Sequence, residues 1–227
     1  MTTSRFPDPR KTKGDVVAFG DDLRPETLID AYRHGIFPWP MEGIPLPWFC
    51  PRRRAIIELK DVHISRSLRH VRARSGFRFT IDGDFRSVIE ACATAQRPDQ
   101  DGTWIFPQVV EAYCLLHAQG VAHSVEVWDQ NELVGGVYGV DAGGAFNGES
   151  MFRLRPNASK LALLFLFEHL QSRGLDWFDV QVMSEHMRAL GSVEITRAKF
   201  LDRLARTQKR SLVLFDPANP DHAAPSP

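Results

Sequence analysis

The stretch WFDVQV, residues 177–182, sets two polar side chains, Asp179 and Gln181, into a run that is otherwise apolar. Two residues apart on a strand, they project to the same face. A carboxylate and an amide placed this way can orient a polar substrate, or they can simply satisfy each other at a sheet edge. Glu149 in NGES follows Gly148, which lets a substrate backbone approach closely. Its carboxylate suits a cationic group, or an ordinary surface ion pair with Arg153 or Arg155. His123 and His186 lie far apart and neither is paired with a nucleophile, so both are read as structural. Cys50, Cys92 and Cys114 are odd in number and widely spaced, which fits a reduced protein without a zinc site or a disulfide framework.

The formal net charge is zero, with 28 basic and 28 acidic residues, yet the charge is unevenly spread. Between Pro51 and Arg78 lie Arg52, Arg53, Arg54, Lys60, Arg66, Arg69, Arg72, Arg74 and Arg78 against only Glu58 and Asp61, a local charge of +7. All but one of these cations are arginine, whose planar fork binds phosphate oxygens bidentately. An RNA or nucleotide partner is one reading of this segment; a solvated helix face is the other.

A chain of 227 residues that is 43% hydrophobic and 25% charged can bury a sizeable core as one medium domain or two small ones. The longest apolar run, LALLFLF, is far short of the ~20 residues that span a bilayer, and the polar N-terminus lacks a signal-peptide core. Residues up to about 22 read as a polar arm. RPETLIDAYRHG reads as a helix opened by Pro25 and closed by Gly35, and IFPWPMEGIPLPWFCP, rich in proline and aromatics, as irregular. AIIEL and FRFTID read as strands, ISRSLRHVRARS as a basic helix, and DFRSVIEACATA as a helix burying Phe85, Val88, Ile89 and Cys92. After the break RPDQDGTW comes the helix PQVVEAYCLLHAQG. HSVEVW and LVGGVYGV form a hairpin signal around DQNE, with GAFNGES as a third strand. NASKLALLFLFEHLQSRG reads as a helix with Asn157 as N-cap, apolar nearly all round and so buried on several sides. WFDVQV, the helix TRAKFLDRLART and the strand SLVLF follow, which predicts an α+β chain with a mixed sheet and a central helix crossing between strands.

AYRHGIFPWP, TWIFPQVVEAYCLLHAQGVAHSVEVW, LVGGVYGV, FNGESMF, NASKLAL, DVQV and LGSVEI, in this order and spacing, resemble the leucyl/phenylalanyl-tRNA protein transferases, the bacterial N-end rule aminoacyl transferases. The resemblance runs from about residue 18 to 204. Cys50 stands where members commonly carry serine, Arg52 an acidic or amide residue, Val137 a methionine and Ala189 a serine. The resemblance implies a small N-terminal α+β domain with the basic helix over residues 1–100, a GNAT-like aminoacyl transferase domain over 101–216, and a flexible tail over 217–227. It implies transfer of Leu or Phe, less well Met, from aminoacyl-tRNA to the N-terminal Arg or Lys of a protein, which marks that protein for degradation. The protein would act as a cytoplasmic monomer, away from membranes and without a metal or other cofactor.

The implied reaction is aminolysis of an ester, so the site must position a neutral amine, stabilise an oxyanion and move protons. Asp179 and Gln181 match the family's catalytic pair: Asp179 would orient Gln181, and the Gln181 amide would hold the attacking amine, with the proton's acceptor left open. Glu149 would bind substrate. Val137, Phe146, Met151, Leu163 and Leu166 are candidate walls of the aminoacyl slot, and Trp48 and Trp104 would stack on the terminal adenosine. Arg52, Arg53, Arg54, Lys60, Arg66, Arg69, Arg72 and Arg74 would contact tRNA phosphates. Two rival readings remain, an acyl-CoA N-acyltransferase and a non-catalytic RNA-binding module. The connection FRLRPNAS weakens the first, because it has no glycine with which to cradle a pyrophosphate.

Overall fold

The computed structural model describes residues 4–20, 22–41, 43–95 and 104–216. Its scaffold is a seven-stranded mixed sheet, ordered β10-β4-β9-β8-β7-β6-β5, with a small sheet, β1-β3-β2, beside it. The small sheet comprises β1 (Val16–Phe19), β2 (Phe37–Pro38) and β3 (Pro47–Phe49). The large sheet comprises β4 (Arg53–Glu58), β5 (Arg78–Ile81), β6 (Ala122–Asp129), β7 (Glu132–Asp141), β8 (Phe146–Arg153), β9 (Trp177–Gln181) and β10 (Val193–Thr196). Helices are α1 (Pro25–Arg33), α2 (Arg66–Arg74), α3 (Phe85–Thr94), α4 (Pro107–Ala118), α5 (Ala158–Ser172), α6 (Glu185–Ala189) and α7 (Arg197–Gln208).

Every strand pair is antiparallel except β8 with β9, and these two are joined by α5 as a helical crossover. The pair meets at a single register position, Asn147 opposite Asp179. Beyond it both strands run on without pairing to each other, so the sheet opens between them. Successive glycines on β7 show how the helices are layered. A Cβ on Gly135 would strike Ala158 of α5, and one on Gly136 would meet Val88 of α3, so the two helices cover opposite faces. Leu161, Leu163, Leu164, Leu166, Phe167 and Leu170 of α5 are all buried, as its all-round apolar sequence predicts. Phe85, Val88, Ile89 and Cys92 are the buried face of α3, also as predicted.

Several expectations are corrected. The aromatic, proline-rich segment is not wholly irregular: Phe37 pairs with Phe49 and Pro38 with Trp48, and Pro38 sits on the edge strand β2, where a missing N–H is tolerated. The polar arm contains β1, and it is pinned because the Arg197 guanidinium donates to the carbonyls of Pro9, Thr12 and Gly14. SLVLF forms no strand. It lies along the core with Leu214 buried, its carbonyl accepting from His169 Nε2 at 2.8 Å, and Phe215 stacked on His123. Asn157 sits at the start of α5 in a left-handed conformation, φ +67°, and its side chain makes no cap bond. The division expected at residue 100 cuts the large sheet, since β4 and β5 come from before it and the other strands from after it. The tail 217–227 and all of RPDQDGTW except Trp104 lie outside the described residues.

Candidate active site

The gap between β8 and β9 opens into a cavity of about 930 Å³. Its walls are mostly apolar: Val137 and Met151 on neighbouring strands, Leu163 on α5, Phe178 and Val180 on β9, and Met187 on α6. Phe37 and Trp39 of the small-sheet segment and Trp104 ahead of α4 complete the aromatic lining. Gly148 is required here, because a Cβ would stand 2.5 Å from the Phe178 ring.

Glu149 and Gln181 are among the polar groups of the lining, and two irregularities aim them there. On β8 the register passes from Ser150 opposite Tyr138 to Gly148 opposite Gly139, which leaves Glu149 as the extra residue of a bulge. On β9 it passes from Asp179 opposite Ile56 to Gln181 opposite Ala55, which leaves Val180 as the extra residue of a second one. Bulges re-aim side chains and gather beside active sites. Gln181 also has φ +67°, at the centre of a three-residue turn in which Val182 N–H donates to Val180 C=O at 2.9 Å. A left-handed glutamine is costly, and the bonds around it hold it in place.

The Gln181 side-chain amide donates to Glu149 Oε1 at 2.5 Å, and Tyr113 donates to Glu149 Oε2 at 3.5 Å. The Tyr113 and Tyr32 hydroxyls are hydrogen-bonded to each other. Burial raises the Glu149 carboxyl to about 7; bonds from Tyr32 and Gln181 and the Arg54 charge oppose the rise, and the Asp179 charge adds to it. Burial also lifts both phenols well above their usual range.

Behind this layer Asp179 is locked. Arg54 Nε and Nη2 donate to its two oxygens at 2.8 and 2.6 Å, and Gln181 N–H donates to Oδ1 at 2.9 Å. Both partners of the ion pair are buried. Arg54 also donates to Gly35 C=O at 3.2 Å and lies between the Phe37 and Phe200 rings, 4.6 and 4.4 Å from their centroids. Burial works against its charge, and the Asp179 carboxylate more than restores it, so its pKa is raised. Asp179 and Gln181 are thus brought together, but Asp179 holds the backbone of Gln181 rather than its amide.

Of the predicted wall residues, Val137, Met151 and Leu163 line the cavity and so does Trp104. Phe146 and Leu166 do not: both are core residues, Phe146 packing on Phe178 and Phe215. Trp48 is also turned away, buried against Phe6 with its indole N–H on Gly20 C=O at 3.0 Å. Arg54 is no phosphate contact, being wholly buried on Asp179. Arg52 and Arg53 are exposed beside Asp15 and Glu194, and Arg72 forms a bidentate pair with Glu168. Lys60, Arg66, Arg69 and Arg74 stand exposed in no such pair among the described residues. His123 is structural, bonded to Asp82 at 2.7 Å and to Gly120 C=O at 3.1 Å. His186 is not so placed: it lines the cavity, its Nε2 is buried without a partner, and burial together with Lys160 and Arg153 lowers its pKa. Sequence reasoning missed Tyr32, Tyr113 and the role of Arg54; the two tyrosines lie in quoted family segments, and nothing in the spacing marks Arg54 as the partner of a residue 125 positions away.

An apolar cavity that ends on a titratable carboxylate and a fixed amide suits an enzyme that binds an apolar group and presents hydrogen-bonding atoms at one end of it. Residues 56–205 match the family model of leucyl/phenylalanyl-tRNA protein transferase, and residues 21–52 match the model of that family's N-terminal domain. The leucyl/phenylalanyl-tRNA–protein transferase of Myxococcus xanthus (strain DK1622) is 47% identical over 90% of this chain and 88% of its own. The proteins of that name from Sulfurimonas denitrificans (strain ATCC 33889 / DSM 1251) and Enterobacter sp. (strain 638) are 48% and 44% identical, over 88% and 91% of this chain and 87% and 88% of theirs. The chain belongs to the leucyl/phenylalanyl-tRNA protein transferase family. The two family matches divide between residues 52 and 56, at the junction of the small sheet with β4.

Proposed function

We propose that the chain transfers Leu or Phe, and less well Met, from aminoacyl-tRNA to the N-terminal Arg or Lys of an acceptor protein, which marks that protein for N-end rule degradation. One observation carries this reading: the apolar cavity, large enough for a Phe or Leu side chain, ends at the Gln181–Glu149 contact, where a carbonyl and an amine would meet. With its amide nitrogen committed to Glu149, Gln181 offers its carbonyl oxygen to an amine N–H. Asp179, held by Arg54, fixes the backbone turn that presents Gln181. The ester of an aminoacyl-tRNA is already activated, so orientation supplies much of the acceleration and no metal or redox cofactor is called for.

Val137, Met151 and Leu163 would contact the aminoacyl side chain and Trp104 the terminal base, while Lys60, Arg66, Arg69 and Arg74 would bind tRNA phosphates. The sheet that opens between parallel β8 and β9, with α5 crossing between them, supports a GNAT-like arrangement of the larger unit. The enzyme would work as a monomer in the cytoplasm. The test is labelled Leu supplied as Leu-tRNA to a protein beginning with Arg. Label at the acceptor N-terminus is expected; transfer from acetyl-CoA instead, or tRNA binding without turnover, would overturn the assignment.

A further inference from the structure

Aminolysis must pass a proton from the attacking nitrogen to the departing ribose oxygen, and the Asp179–Gln181 pair provides no base for it. A glutamine amide is too weak a base. Asp179 is buried, is not part of the cavity lining, and has both oxygens bound by Arg54. Glu149 is also shielded, but it faces the cavity and its oxygens accept from uncharged donors instead of a guanidinium. It lines the cavity, bulged out of β8 by the loss of register at Gly148–Ser150. One oxygen accepts from Gln181, the group that would hold the amine, and the other from Tyr113.

We propose, resting on the reading above, that Glu149 is the proton acceptor of the transfer and then the donor to the leaving ribose hydroxyl, with the Tyr113–Tyr32 pair holding its second oxygen. The neutral α-amine attacks the ester carbonyl carbon and a C–N bond forms. The nitrogen's proton passes to the Glu149 carboxylate. The carbon–oxygen bond to ribose then breaks, its electron pair stays on the ribose oxygen, and that oxygen takes the proton back from Glu149. Ester and amine become amide and alcohol, and the enzyme is unchanged.

The groups facing Glu149 are Tyr32 of α1, Tyr113 of α4, Asp179 and Gln181 of β9, and Arg54 of β4. The single cation among them is committed to Asp179, so no ion pair holds Glu149 permanently ionised. Burial brings its carboxyl to about 7, where one group both takes and returns a proton at neutral pH.

The test is single-turnover transfer from preformed Leu-tRNA to a saturating peptide beginning with Arg, followed against pH in the wild type, Glu149→Gln and Tyr113→Phe. Glu149→Gln keeps shape and is expected to lower kcat by about 10²-fold or more, to leave the Leu-tRNA Kd within about threefold, and to remove the acid limb near pH 7. Tyr113→Phe keeps the carboxyl but takes away a donor to its ionised form, so the acid limb should move to higher pH. That shift carries the test even if Glu149→Gln does not fold. A limb due to the acceptor's own amine changes with the acceptor and is not moved by Tyr113→Phe. The assignment is overturned by an unchanged pH profile in both variants, by a raised acceptor KM at unaltered kcat, which would make Glu149 a binder of the acceptor's cationic side chain, or by loss of the limb in His186→Gln instead. A wild type that transfers nothing would fail the functional reading itself, a result distinct from any of these.

Discussion

Replacing Arg54 by Met takes a guanidinium out of the core and leaves the Asp179 carboxylate there with one backbone N–H, from Gln181 at 2.9 Å. Methionine fills much of the space between Phe37 and Phe200, so the change is chiefly one of charge. Breaking a buried ion pair from one side costs about 3–5 kcal/mol, because the remaining charge loses its compensation. The lost contact with two aromatic faces adds roughly 0.5–2 kcal/mol. For a chain of this length each kcal/mol lowers Tm by about 2–4 °C, so the drop should be about 7–28 °C. Much of it should return in Arg54→Met with Asp179→Asn, where no orphan charge remains. The assays are thermal unfolding and tRNA titration over a salt series. Because Arg54 is wholly buried, the slope of log affinity against log salt should match that of the wild type at a temperature where the variant is folded. A Tm within about 2 °C of wild type, together with a shallower salt slope, would refute the reasoning and return Arg54 to the phosphate-binding set.

Charge reversal of Arg66, Arg69 and Arg74 on the exposed face of α2 should do the opposite, raising the KM for tRNA and flattening its salt dependence with little change in Tm. Arg72 is left out of that set because Glu168 already holds it. Met151→Trp, at a half-buried position across from Val137 in the cavity wall, should depress transfer of Phe more than of Leu, overpacking an apolar slot at ~1–3 kcal/mol; equal loss for both donors would remove Met151 from the pocket. Stability should also follow Glu149, whose carboxyl rises from an ordinary 4.5 to about 7 on folding. The folded state then binds more protons across that window, so stability falls as pH rises from about 4.5 to 7 and levels off above it, and Glu149→Gln should flatten this slope in denaturant midpoints measured from pH 4 to 8.

The elements that carry strong periodicity were readable in the chain. The buried face of α3 and the all-round burial of α5 follow from 3.6-residue patterning, and the β6–β7 hairpin from two β-rich runs around a short polar turn, where Asp129 pairs with Glu132. The short strands β1, β2 and β3 were not readable, since pieces of two to four residues, two of them containing proline, make no alternating pattern. SLVLF failed the other way: its composition suits a strand, but no edge of the sheet receives it and it covers the core as extended chain. Trp48 and Trp104 both sit in irregular sequence, and only the fold turns one inward and leaves the other on the cavity.

The site residues were legible as types and not as a mechanism, and the reason is geometric. Alternation predicts that Asp179 and Gln181 share a face, but it cannot predict the extra residue Val180 or the left-handed φ at Gln181 that turns its amide toward Glu149. Nor can it show that Glu149 is itself the extra residue of β8. Both bulges lie where β8 and β9 part company, and a bulge ends regular pairing as well as redirecting side chains. The same two insertions therefore help open the cavity and aim its polar groups. Arg54 makes the arrangement stable, because it binds the carboxylate that holds the strained turn and is itself fixed by Gly35 and two aromatic rings. In sequence that arginine is indistinguishable from Arg52 and Arg53, its exposed neighbours; only Arg54 turns inward, where it meets Asp179. A local +7 thus overstates the surface available to a polyanion, since part of it is spent within the core on holding β9 at the cavity.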